Sequence, residues 1–238
     1  MLSLTCRSVT CEGLNLFLAA STYTRIRIAQ QLLPLLTAAA ATTPLARVID
    51  VAGGTREGPV DTTNIGAISM PISKLRAHTI SLHTLAWEML AHDAPSVSFI
   101  HSYPGPVYTE LHKGVSGVLG WLLYIAITAW HTLLGRWMFV PIDECGERHV
   151  FLATSGRYKP RTGGASGLDV PVHDGISRGS DGVMGSGVYS ISWDGEGPTD
   201  RSVGVLEGLK KDGVRELAWK HFVEEFDRVR KGTGDVRP

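Results

Sequence analysis

Val97-Ser-Phe-Ile100 is a short apolar run that ends at Pro104-Gly105, and Val107 and Thr109 then open a new segment. Proline fixes φ and glycine permits a close turn, so the run reads as a buried strand with a sharp stop. Arg47-Val-Ile-Asp-Val51 and Gly187-Val-Tyr-Ser-Ile191 are two further short strands. Stretches with helical spacing of apolar residues separate all three. Strands alternating with helices predict an α/β fold with a parallel sheet. Ligands of such sheets gather outside the carboxyl ends of the strands, which makes the Pro104-Gly105 turn a candidate wall of a site.

Helices are expected over 13–41, 74–91, about 143–155 and 212–230. In the first, Leu14, Phe17, Leu18, Ile26, Ile28, Leu32, Leu33 and Leu36 recur at helical spacing, and Pro34 is expected to kink or end it. The last is the most amphipathic, with Val214, Leu217, Phe222, Val223, Phe226 and Val229 on one stripe. Residues 55–72 read as loop. Residues 156–186, rich in Gly, Ser, Pro and Asp, read as a surface excursion. No internal repeat is present, and the 238 residues are read as a single domain.

Twenty-three basic side chains balance twenty-three acidic ones, so no electrostatic field draws nucleic acid. Cys6, Cys11 and Cys145 are odd in number and lack metal spacing, which points to a reducing, cytoplasmic setting without a disulfide framework. Met1–Arg7 lacks the basic and apolar regions of a secretory signal. The nine histidines show no zinc-binding spacing, and no metal site is expected. One segment qualifies the cytoplasmic expectation. The 22 residues 114–135 carry no charged side chain and include Trp121 and Trp130. That length approaches a membrane span, although His131, the threonines and the glycines dilute it. A helix that covers substrate or contacts a membrane is the expectation.

Gly175-Ile-Ser-Arg-Gly179 matches the hydrolase elbow G-x-S-x-G, with His173 and Asp174 beside it. An elbow needs a helix directly after the serine, and Ser180-Asp-Gly-Val-Met-Gly-Ser-Gly187 does not make one. A chance match in a glycine-rich loop is the reading adopted. Val51-Ala-Gly-Gly-Thr-Arg-Glu-Gly58 follows a strand as a phosphate-binding loop does, but Gly58-Pro59 stands where a helix must start.

Several phrases together resemble the short-chain dehydrogenase/reductase superfamily, in the form found in fungal secondary-metabolite pathways. They are Gln31-Leu-Leu-Pro-Leu-Leu36, Gly54-Thr-Arg-Glu-Gly-Pro-Val-Asp61, Val97–His101 with Pro104-Gly105, Glu144-Cys-Gly-Glu-Arg-His149 and Gly185-Ser-Gly-Val-Tyr-Ser190. Their order and spacing carry the resemblance. It implies a partial doubly wound, Rossmann-like parallel sheet corresponding to the family's C-terminal half. Roughly a hundred residues, one mononucleotide-binding half with its glycine-rich turn, have no counterpart. It also implies NADP as hydride carrier, with Pro104, Gly105, Val107 and Thr109 facing the nicotinamide. The substrate would be a carbonyl or alcohol on a polyketide- or terpenoid-like small molecule. A homodimer through the 13–41 and 74–91 helices is implied as well.

The chain departs from the family at the chemistry. The family uses a tyrosine as acid/base, a lysine four residues later and a serine at a strand end. No tyrosine occurs between Tyr23 and Tyr103, and no serine between Ser21 and Ser69. Lys74 in Met70-Pro-Ile-Ser-Lys74 reads as a relic of the lysine, with Met70 in the acid's place. A second register, counted back from Pro104, puts the pair at Leu75 and Thr79. Ser21 replaces the family's helix asparagine. His78 and His101 are the residues left to act as acid or base, since histidine titrates near working pH. Two readings follow. One is an oxidoreductase of the family; the other is a degenerate relative without redox activity that serves as a binding or partner subunit. A bare edge of a parallel half-sheet invites aggregation, so poor solubility is expected unless the chain dimerises or meets a membrane.

Overall fold

The computed structural model describes residues 9–43, 45–107, 117–163 and 175–232. Within 117–138 the described side chains are 120–122, 124–130, 132, 133 and 135. In chain order the elements are α1 (Leu16–Leu18), a π-helical turn (Ala19–Tyr23), α2 (Thr24–Ala40), β1 (Arg47–Val51), α3 (Ile72–Asp93) and β2 (Ser98–Ser102). Then follow α4 (Gly117–Met138), α5 (Ile142–Thr154), β3 (Val188–Ile191), α6 (Asp200–Lys211) and α7 (Val214–Arg230). The three strands form one parallel sheet in the order β1-β2-β3, with Ile49 opposite Ile100 and Ile100 opposite Tyr189. This is the α/β architecture that the strand–helix alternation predicts.

β2 is central and buried along its whole length, as a parallel strand covered on both faces must be. On one face Phe99 stacks on Trp87 of α3, with ring centroids 6.0 Å apart. Leu82, Leu90 and Ala91 of α3, Ile26 of α2 and Phe222 of α7 complete this core. Full burial of a side chain such as Phe99 or Leu82 contributes about 1.5–3 kcal/mol. On the other face Ile100, Tyr158, Tyr189, Ile191 and Leu152 form a smaller cluster. The Trp219, Phe222 and Phe226 stripe therefore belongs to the core or its margin.

Helix α2 runs through Pro34 to Ala40, so the proline does not end it. The break lies earlier, in the π-turn. Its wider winding turns the consecutive residues Thr22 and Tyr23 both inward, 0% and 4% exposed. Tyr23 reaches His221 of α7 at 2.7 Å, and Thr22 reaches α3. Helix α6 falls where no helix is read from the sequence. Thr199 caps its N-terminus by accepting from the Ser202 N–H, and Lys210 and Lys211 end it. Gly204 and Gly208 dilute the helical pattern between those ends.

The described parts of the 156–186 stretch return into the protein. Tyr158 is buried against Tyr189, and Ser177 and Ser180 are buried. Ser180 Oγ donates to Glu88 of α3 at 2.8 Å, and Lys210 of α6 approaches the same carboxylate at 3.3 Å. Ser177, of the elbow-like motif, is followed by a bridge between Arg178 and Met184 rather than a helix. His173 and Asp174 lie outside the described residues.

Candidate functional site at the carboxyl edge of the sheet

Beneath the carboxyl ends of β1 and β2 lies a closed layer of buried polar groups. Asp50 of β1 is held by the Arg25 guanidinium, by His83 Nδ1 at 2.7 Å and by Trp87 Nε1 at 3.3 Å. His83 Nε2 meets the Thr22 hydroxyl at 2.8 Å. Burial pushes the Asp50 carboxyl up, but the hydrogen bond and charge of His83, together with His101 and Arg25, outweigh it. They hold the carboxyl well below the usual carboxylate range.

His101 continues the layer. Its Nε2 accepts from the Gly53 N–H at 3.1 Å, so Nδ1 carries the proton and donates to Thr84 at 2.8 Å. Thr84 donates in turn to Glu57, whose same oxygen accepts from Ser190 of β3. Burial brings the His101 imidazole down to about 4, so it is neutral at physiological pH. Gly54 crosses between the strand ends, where a Cβ would run into the backbone of His101 and Ile191. Close packing of the strand termini is thus one reason for glycine here.

Side-chain ligand atoms of Asp50, His83 and His101 lie within 4.8 Å of one another, a spacing a metal ion can bridge. However, each imidazole nitrogen already faces a hydrogen-bond partner, and Asp50 carries a guanidinium. In this arrangement the three side chains form a hydrogen-bond network in which every imidazole nitrogen is engaged.

The sequence candidates separate in space. His78 Nδ1 accepts from the Asp61 N–H at 3.1 Å, and Nε2 donates to the Ile65 carbonyl at 3.0 Å. Burial lowers its pKa. His78 and His101 are 1% and 0% exposed, and each pins backbone with both ring nitrogens engaged. Lys74 lies exposed in the first turn of α3, while Met70 is buried in the loop before that helix. In the alternative register Leu75 is a core residue, and Thr79 bonds back to its carbonyl. Thr109 and Tyr108 lie outside the described residues.

Of the Pro104-Gly105 turn, Pro104 lines a cavity. Gly105 has φ +82° and packs against Trp193 and Val140, and Val107 pairs with Val140. Ser102, Tyr103 and Pro104, from the end of β2, line this cavity of about 70 Å³ together with Ser192 and Trp193 after β3 and with α5. From α5 come Cys145, Arg148, His149, Phe151 and Leu152. Arg148 lies 4.5 Å from the Trp193 ring centroid and also bonds Glu144 and the Trp193 carbonyl. His149 Nδ1 donates to the Cys145 carbonyl at 2.7 Å, while its buried Nε2 has no partner among the described residues. That nitrogen is a proton acceptor beside the cavity. Its only signal in the sequence is the spacing of Cys145 and His149, one helical turn apart.

The protein is thus an α/β protein with a three-stranded parallel sheet flanked by helices, and the carboxyl edge of such a sheet is where ligands of this class of fold gather. The chain belongs to a family of fungal oxidoreductases. It is 33% identical over 236 residues to an oxidoreductase of Emericella nidulans, a match covering 96% of this chain and 66% of that protein. It is 31% identical over 246 residues to the oxidoreductase andH of Emericella variicolor, covering 99% and 67%. With the short-chain dehydrogenase/reductase SAT2 of Stachybotrys chartarum it shares 31% identity over 242 residues, covering 97% and 63%. The chain thus spans about two thirds of the length of these relatives. No family model matches the sequence, and no solved structure matches it.

Proposed function

We propose that this chain is a short-chain dehydrogenase/reductase-like oxidoreductase of a fungal secondary-metabolite pathway, placed in the cytoplasm. Its substrate is a carbonyl or alcohol intermediate of polyketide or terpenoid type, and NADP is the hydride carrier. The observation that carries this reading is the cavity lined by Ser102, Tyr103 and Pro104 at the carboxyl edge of β2. The nicotinamide end of such a cofactor is assigned to Pro104, Gly105 and Val107 on the resemblance; of these Pro104 lines the cavity, while Gly105 packs on Trp193 and Val140 and Val107 pairs with Val140. The described residues do not fit its pyrophosphate, because Gly53 packs on Ile80 and Gly54 on the strand ends, and no helix begins between β1 and Ile72. The bound cofactor would supply hydride. The chain's own part is to shape the wall, to seat an apolar substrate against Phe151 and Trp193, and to exchange a proton at Tyr103 or His149.

Relatives named as oxidoreductases or a dehydrogenase/reductase support this reading over a redox-inactive partner subunit. Titration of the purified, folded chain with NADPH, followed by fluorescence or calorimetry, is the test. Saturable micromolar binding is expected. A folded sample that binds no NADPH would remove the cofactor from the reading and restore the partner-subunit alternative.

Two further roles belong to this proposal. No helix, among the described residues, is long and apolar enough to cross a membrane. We assign α4 to contact with a membrane surface, since Trp121, Leu122, Ile125 and Leu133 are all exposed. A homodimer would use α2, which leaves Ile28, Leu32 and Leu35 exposed, because α3 is buried within its own chain.

A further inference from the structure

We infer that Arg56, Arg76 and Tyr103 form a receptor for a carboxylate group on the ligand of this cleft; naming that ligand the substrate rests on the oxidoreductase reading. Three elements bring these residues together at the carboxyl edge of the sheet. Arg56 follows β1 through the Gly53-Gly54 turn, directly after Thr55, which sits at φ +66°. A threonine there is held in a sparsely populated backbone region, and that backbone turn precedes the arginine. Arg76 stands on the second turn of α3, and Tyr103 directly follows β2 beside Pro104. The guanidinium carbons lie 4.8 Å and 5.9 Å from the Tyr103 ring centroid, the same ring that lines the cavity.

The charges around this ring are not balanced. Arg25, Arg148, Arg157, Arg178, Arg215 and Arg228 each hold a carboxylate. Arg56 and Arg76 have no carboxylate within ion-pair distance among the described residues, and both are exposed to an incoming ligand. The first turn of α3 adds Lys74 and contains no acidic side chain. The Tyr103 hydroxyl makes no hydrogen bond among the described residues, which leaves a donor beside the two cations. Two guanidiniums and a phenol match the lone-pair arrangement of a carboxylate, which accepts bidentate and charge-assisted bonds. Tyr103 is the shared element: its ring contacts both arginines and also lines the cavity walled by Phe151 and Trp193, which neither arginine lines. The ligand class is therefore an apolar body that ends in a carboxylate.

Calorimetric titration of the full chain with benzoate tests this, with benzamide as the neutral isostere and inorganic phosphate at equal ionic strength. Benzoate is expected to bind saturably and about tenfold or more tighter than either comparison compound. The double variant Arg56→Gln/Arg76→Gln should lose about tenfold in benzoate affinity with an unchanged melting temperature, while Arg201→Gln retains it. Equal binding of benzoate and benzamide, or an unaffected double variant, would overturn the site. Phosphate binding as tight as benzoate would overturn the carboxylate assignment in favour of a general anion site. NADPH affinity should be the same in the double variant. Benzoate binding without NADPH binding would sink the cofactor reading alone, and the reverse result would sink this inference alone.

Discussion

Helices α3 and α4 are each 22 residues long, and they occupy the places opposite to those their compositions suggest. α3 carries His78, Thr79, Ser81, His83, Thr84 and Glu88, and all six are buried. α4 contains long apolar runs, yet Trp121, Leu122, Tyr124, Ile125, Trp130 and Leu133 are exposed. The polar helix lies inside because each of these six buried groups meets a fixed partner. Glu57 and His101 answer Thr84, Asp50 and Thr22 answer His83, Gly58 answers Ser81, and Ser180 and Lys210 answer Glu88. The apolar helix lies outside because the two faces of the sheet are already covered. Burial here follows the supply of partners rather than hydropathy alone.

The sharpest way to break that comparison is to remove one partner from the inner helix. Asp50→Ala leaves Arg25, His83 and Trp87 without their shared acceptor. It should cost about 3–5 kcal/mol in urea or thermal unfolding, as loss of one member of a buried ionic network does. A loss under 1 kcal/mol would mean that the layer is loosely held or reached by water.

Acid tests the same layer without mutation. His101 has a folded pKa of about 4, below its ordinary value, so the folded state binds fewer protons than the unfolded one in between. Stability from this group is complete above about pH 6.5 and is lost as pH falls towards about 4, amounting to about 3 kcal/mol. Asp50, with its lowered pKa, adds a loss of the same sign at still lower pH, while Glu57, His83 and Arg25 face the same space. Urea midpoints measured from pH 7.5 to 4.5 should decline through this window. A flat profile would show that His101 is not held neutral.

The outer helix should give the smallest effect on folding. Leu133 is 79% exposed and Leu122 is 52% exposed. The change of both to Ser should alter stability by no more than about 0.5 kcal/mol. It should nevertheless reduce flotation of the chain with anionic phospholipid vesicles. Unchanged flotation, or none in the starting protein, would remove the membrane role from α4.

Much of this fold was legible because it is written in local periodicity. The strands at 47–51, 97–100 and 187–191 are observed at Arg47–Val51, Ser98–Ser102 and Val188–Ile191, and the 212–230 helix at Val214–Arg230. Periodicity misses α6, where glycines interrupt the stripe, and the π-turn, which no short-range pattern announces. The wall at Tyr103-Pro104 was readable from the turn chemistry of Pro104-Gly105. The roles of His78 and His101 were not, since a histidine looks alike in sequence whether it faces a substrate or a backbone amide.

By itself, then, the sequence determined the alternation of strands and helices, the sharp stop after β2, and the lack of any tyrosine between Tyr23 and Tyr103 or serine between Ser21 and Ser69. Those are properties of neighbouring residues and of which residue types are present. Only the tertiary structure decided that His83 and Thr84 of α3 join Asp50, His101 and Glu57 in one buried hydrogen-bonded layer, in which Glu57 Oε2 has no partner among the described residues. It alone brought Arg56, Arg76 and Tyr103 from three separate elements to one point on the rim. Such juxtapositions arise from how the strands register and how helices cross them, and contacts between residues far apart in the chain leave no trace in local spacing.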